Sequence, residues 1–156
     1  MMSFTTFLAA PPAYIGVVDV RDVAWAHVKA LTTPSTDGQR ILITNVPTLR
    51  FRQLTYWLQL EFGPHGYPVS GVEAPKWMLK AYAKLGIDKQ AKATVHRCDG
   101  TLVFDNSKSL RLLKVKYRDP RESLYSQVHS MMELGMIRKT KKMKLKEKKQ
   151  MVLVST

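Results

Sequence analysis

The stretch Val17–Leu31, VVDVRDVAWAHVKAL, decides how the rest of the chain is read. It overlaps an apolar, β-branched run, Ile15–Val20 (IGVVDV), of the kind that forms a short buried strand. Asp22 then offers a side-chain oxygen to the free N–H groups of a first helical turn, so a helix capped by Asp22 is predicted through Leu31. Val23, Ala24, Ala26, Val28, Ala30 and Leu31 surround most of its circumference, which predicts a largely buried helix. A turn cluster, Pro34–Gly38, leads to a second predicted strand, Arg40–Thr44 (RILIT). Strand, helix, turn and strand in succession are the pattern of an α/β layer.

Downstream, helices dominate. Phe51, Leu54, Leu58 and Phe62 recur at helical spacing, and Gly63 ends that run. After the Gly- and Pro-rich loop GPHGYPVSG, Pro75 suits the first turn of a helix that Gly86 closes. Residues 87–101 carry no clear period. Asp105 or Asn106 can cap a short helix over SKSLRLLK. Asp119 and Pro120 open another, whose face is lined by Leu124, Val128, Met131 and Met132. Gly135 stops it, and Ile137 is placed to fold back on the last turn as in a Schellman cap.

The 156 residues suffice for one domain, and 45% hydrophobic with 24% charged residues argues against wholesale disorder. The single cysteine, Cys98, cannot form an intrachain disulfide, which speaks against a stapled secreted scaffold. No apolar run approaches the roughly 20 residues of a membrane helix. The segment MMSFTTFLAAPP has no basic residue before Arg21, so a signal peptide is disfavoured. The expectation is a cytoplasmic protein. The net charge is +13, and a large share of it lies in RKTKKMKLKEKKQ, Arg138–Gln150. Such a run attracts phosphate backbones or anionic lipid and also serves as a nuclear address, although a solvated, self-repelling end is the simpler account.

Chemical motifs are scarce. Gly63, Gly66 and Gly71 follow a predicted helix instead of a strand, which suits a connecting loop better than a phosphate cradle. His96 and Cys98 have no second pair to complete a metal site, so no metal is expected. There is no Gly-x-Ser-x-Gly elbow. Asp19, Asp22 and Glu73 are carboxylates without an evident acid–base partner, and Asp22 reads best as the structural cap.

Several segments are familiar together. VVDVRDVAWAHVKAL, PSTDGQRILIT, FRQLTYWLQLEFGPHGYPV and DNSKSLRLLKVKYRDPRESLYSQVHSMMELGMI resemble, in that order, the C-terminal half of extended short-chain dehydrogenases/reductases. The likeness is to the NAD-dependent epimerase/dehydratase and dihydroflavonol-4-reductase-like branch, over residues 15–137. It implies a partial α/β fold, with few short strands, several helices and a disordered or helical basic tail over residues 138–156. Residues 1–14 do not look like family sequence. It implies NAD or NADP as cofactor and an aldehyde, ketone or CH–OH group as substrate. In that family a Tyr-x-x-x-Lys pair handles the carbonyl proton and the cofactor ribose, and a Gly-rich turn holds the nucleotide. None of the six tyrosines here has lysine four positions on, and no such Gly-rich turn occurs in the sequence. No catalytic or cofactor-binding residue is therefore assigned, and the chain alone is expected neither to turn over nor to bind the cofactor.

By the same resemblance, the substrate-pocket candidates are Tyr67 and Trp77. Partners would be the nucleotide-binding half or a full-length relative, with anionic membrane or nucleic acid at the basic tail. The alternative function is a non-catalytic interaction module. Lys114 stands where the family commonly has glycine in a left-handed turn.

Overall fold

A computed structural model of the chain describes residues 10–84 and 102–146. Expectations for Gly86, His96, Cys98, the first nine residues and residues 147–156 lie outside them. The architecture is mixed α/β. A two-stranded antiparallel sheet joins β1 (Tyr14–Ile15) to β2 (Leu49–Arg50), with Tyr14 opposite Arg50 and Ile15 opposite Leu49. Among the described residues, four helices of nine or more residues accompany it: α1 (Val20–Leu31), α2 (Phe51–Phe62), α3 (Lys76–Lys84) and α4 (Pro120–Glu133). A π-type turn spans Ser109–Leu113, and a short helix covers 141–146.

Two predicted strands are shorter than expected or absent. The first keeps only Ile15 within β1, and residues 39–45 form no ladder. One bond, Asn45 N–H to the Val17 carbonyl at 2.9 Å, links the two segments. A β-branched run favours extended backbone, but a strand also needs a partner in register, and here the partner ladder is not completed.

The cap of α1 is also corrected. Asp19, not Asp22, is the N-cap, and its carboxylate accepts the Arg21 N–H at 2.8 Å. Asp22 sits inside the first turn, buried, and accepts the backbone N–H of Arg118 at 2.8 Å and the Arg118 guanidinium. Two aspartates three residues apart can each begin a helix. Long-range partners decide between them: Ser123 Oγ donates to Asp19 at 2.6 Å, while Arg118 claims Asp22.

α1 is not largely buried either. Only Asp22 and Ala26 are buried within it, while Val20, Val28 and Leu31 are exposed at 77%, 66% and 87%. Together with Ala24 they form one stripe along the helix, because positions 20, 24, 28 and 31 share a face at 3.6 residues per turn. The described residues cover only the opposite side.

Among the described residues, two small apolar clusters stand out in the core. Ala26, Leu113 and Val115 form one, with Ala30, Ile41, Ile43 and Tyr117 around it. Phe62, Met132, Ile137 and Met143 form the other, where α2 meets α4. The second cluster depends on the end of α4. Gly135 is left-handed (φ 72°), its N–H reaches the Met132 carbonyl at 3.2 Å, and Met136 N–H reaches Met131 at 2.9 Å. This is the Schellman geometry the sequence predicts, and it turns Ile137 into the cluster.

Lys114 is left-handed at φ 57° and ψ 36°, and its N–H is bonded to the Ser109 carbonyl. A side chain in this region costs roughly 1–2 kcal/mol, which glycine avoids at some expense in unfolded-state entropy. Lys114→Gly is therefore expected to stabilise the fold by about 0.5–1 kcal/mol, read as a higher urea midpoint with an unchanged slope. A lower midpoint would contradict the assigned conformation.

Candidate functional site

The site is built where α2, the loop after it, α4 and the 140–146 segment converge. Gly63 ends α2, and Gly66, left-handed at φ 83°, closes a single 3-10 turn. That reversal sends Tyr67, Pro68 and Val69 back along the helix. Beyond α4, the Schellman turn returns Ile137 and Arg138 to the same place. Between them lies a cavity of about 210 Å³ with an almost wholly apolar lining, including Phe62, Tyr67, Val69, Val128, Met132 and Ile137. Gly66, Arg138 and Thr140 reach its wall as well.

The aromatic side of the cavity is fixed. Phe62 meets Tyr67 and Tyr125 edge to face, at 6.1 and 6.0 Å between ring centroids and 88° between planes in both pairs. Tyr125 Oη donates to the Trp57 carbonyl at 3.1 Å and accepts from Arg121 Nε at 2.9 Å. Tyr67 Oη is held more loosely. It donates toward the Arg138 carbonyl at 3.4 Å or Met132 Sδ at 3.6 Å, and accepts the Thr140 N–H at 3.4 Å. All three distances lie at or beyond the long edge of ordinary hydrogen bonds.

Of the two sequence-derived candidates, the structure brings Tyr67 to the cavity and leaves Trp77 away from it. Trp77 is 72% exposed on α3 and lines neither described cavity. The sequence reading missed Arg138 and Thr140, which it assigned to a tail. The signal lay in the spacing of Ile137 and Met143 around Thr140. Met143 is buried in the core cluster, and Thr140 Oγ1 donates to the His65 carbonyl and accepts the Met143 N–H at 3.1 Å.

A second hollow, about 380 Å³, lies beside Asp22, Trp25, Lys114, Lys116 and Arg118. The carboxylates near α1 are committed to structure. Asp19 is held well below the ordinary carboxylate range, chiefly by the Arg21 guanidinium, with Ser123 and the Arg21 backbone N–H adding to it. Asp105 is lowered too, by the Ser107 backbone N–H that it caps at 2.8 Å. Glu73 pairs with Arg50 at 3.3 Å. Among the described residues no three His, Cys, Asp or Glu side chains converge as metal ligands, and no helix is long and apolar enough to cross a membrane.

The described residues do not fit a nicotinamide dinucleotide. Gly63 and Gly66 follow the C-terminal end of α2, where the partial charge is negative, and neither described cavity lies at a glycine turn leading from a strand into a helix.

What these elements define is an α/β lobe with an apolar ligand-sized cavity. Its sequence is 30% identical over 114 residues to the NADPH-dependent methylglyoxal reductase GRE2 of Saccharomyces cerevisiae. The match takes in 73% of this chain and 28% of the reductase, so the chain spans little more than a quarter of that relative's length. It supports a relationship to oxidoreductases at the family level. No protein-family model matches the chain, and no solved structure matches it.

Proposed function

We propose that this chain is the substrate-side portion of an NAD(P)-dependent reductase acting on a small aldehyde or ketone, and that it does not catalyse the reaction by itself. The observation that carries the reading is the 30% identity to a reductase over 114 residues, in a sequence that lacks both Tyr-x-x-x-Lys and a nucleotide-binding glycine turn. The Tyr67 cavity is the natural place for the apolar part of a carbonyl compound. The cofactor and proton donor come from residues outside this sequence, supplied by a nucleotide-binding half or a full-length relative. The exposed stripe of α1 favours such a partner, because contiguous apolar surface left bare marks an interaction site. It is also the observation behind a second reading, a non-catalytic docking module whose basic residues reach anionic membrane or nucleic acid.

The test is titration of the isolated chain with NADPH, followed by tryptophan quenching, and by absorbance with methylglyoxal present. The expected result is no saturable binding at micromolar cofactor and no NADPH oxidation above the blank. Saturable binding or turnover would overturn the division of labour.

A further inference from the structure

We propose that the Tyr67 cavity is a binding site for a small amphipathic carboxylate, with the apolar body inside and the anionic head at Arg138. The inference goes beyond the reductase reading and stands whether or not nicotinamide chemistry occurs nearby.

Size sets the first limit. A dry engineered cavity of about 150 Å³ takes up benzene, so one of about 210 Å³ holds an apolar group of roughly six to eight carbons. The lining sets the second limit. Phe62, Val69, Val128, Met132 and Ile137 offer an alkyl chain nothing but apolar contact.

Charge sets the third. Arg138 is the one charged residue of the lining, it is exposed, and no acidic side chain among the described residues pairs with it. Its neighbours deepen the positive potential. The Lys142 stem runs over Gly66, 3.7 Å from where a β-carbon would sit, and Lys146 Nζ stands 3.1 Å from His65 Nε2. Positive charge at and beside a low-dielectric pocket concentrates anions. A guanidinium also matches a carboxylate in geometry, offering paired donors. The basic segment is thereby tied to the cavity: its helix buries Met143 in the cluster behind the pocket while its lysines face outward.

The experiment is calorimetric titration of the full chain, without nucleotide, with hexanoate, octanoate, decanoate, dodecanoate and 1-octanol. Octanoate should bind saturably, about tenfold tighter than hexanoate for its two extra methylenes. It should also bind about fivefold tighter than octanol. Arg138→Gln should erase the preference over octanol. Val128→Trp should abolish binding of both octanoate and octanol. Should that variant fail to fold, the chain-length series on the unaltered protein still decides, because a gain per methylene that stops beyond about eight carbons marks a cavity of this size. Equal binding of octanoate and octanol, an Arg138→Gln variant that keeps the preference, or an absence of saturable binding would overturn the proposal. So would association with phosphatidylserine vesicles and none with free octanoate, the outcome expected of a membrane-surface role. Since no ligand here has a reducible carbonyl and no NADPH is present, these titrations test the cavity and its charge, while cofactor binding and turnover are tested by the NADPH titration alone.

Discussion

Replacing Phe62 by alanine is expected to cost about 4 kcal/mol, a large part of the roughly 5–15 kcal/mol that holds an ordinary domain together. Phe62 is 2% exposed and is the common member of three ring contacts, to Tyr67, Tyr125 and His129. It also touches the buried cluster that joins α2, α4, Ile137 and Met143. The cost has two parts: transfer of a large apolar side chain, and a hole beside a cavity that already exists, so the surroundings have little to collapse onto. Urea unfolding of the variant gives the number. Phe62→Leu, which keeps most of the volume, should cost less than half as much. A cost under about 1.5 kcal/mol for the alanine variant would mean that the α2–α4 cluster contributes little and that the cavity wall is soft. Because the two clusters are small and separate, the alanine variant should also unfold with non-coincident fluorescence and circular-dichroism transitions.

Asp19→Ala is the second large expected effect, at about 2 kcal/mol near neutral pH. It removes an N-cap, typically worth about 1 kcal/mol, and leaves Ser123 on α4 without the acceptor that ties α4 to the start of α1. The effect carries a pH signature. The Asp19 carboxyl is lowered in the folded chain by Arg21, Ser123 and the backbone, whereas in the unfolded chain it titrates near its ordinary value of about 3.9. Acid therefore protonates the unfolded chain first. The contribution of Asp19 is complete above about pH 5 and is lost as the pH falls below 4. The alanine variant should approach the unaltered protein in stability as the pH is lowered to about 3, and the gap should reopen on return to neutrality. A gap that is constant with pH would assign the loss to packing instead of charge. A cost below about 0.5 kcal/mol would place Asp19 among ordinary surface positions.

Local signals in the sequence were reliable where the structure they specify is local. α2 begins and ends where Phe51 and Gly63 predict, α4 has its Asp119 cap and Pro120, and the Schellman turn at Gly135 delivers Ile137 to the core. Lys114 is left-handed, as its place in the resemblance implies. The misses all involve partners distant in sequence. Ile15–Val20 and Arg40–Thr44 look like strands by composition, yet pairing is a property of two segments. The choice of Asp19 over Asp22 as cap is made by residues 96 and 104 positions away. Arg138 looked like the start of a tail because its neighbours are lysines. The buried Met143, one apolar residue among them, shows that the chain is still packing at that point.

The cavity has walls of unequal stiffness. On one side stand rings locked edge to face and a proline, none of which can change shape without breaking a contact. Elsewhere in the lining stand Met132 and Met136, unbranched thioethers with several rotatable bonds, and Met136 is 55% exposed. A contour built this way discriminates by halves. The rigid face sets which end of a guest enters and how it is turned, while the compliant face follows whatever length remains. Selectivity by shape should therefore be sharp at the Phe62–Tyr67 corner and permissive toward Met136, and guests differing only at that far end should be nearly interchangeable.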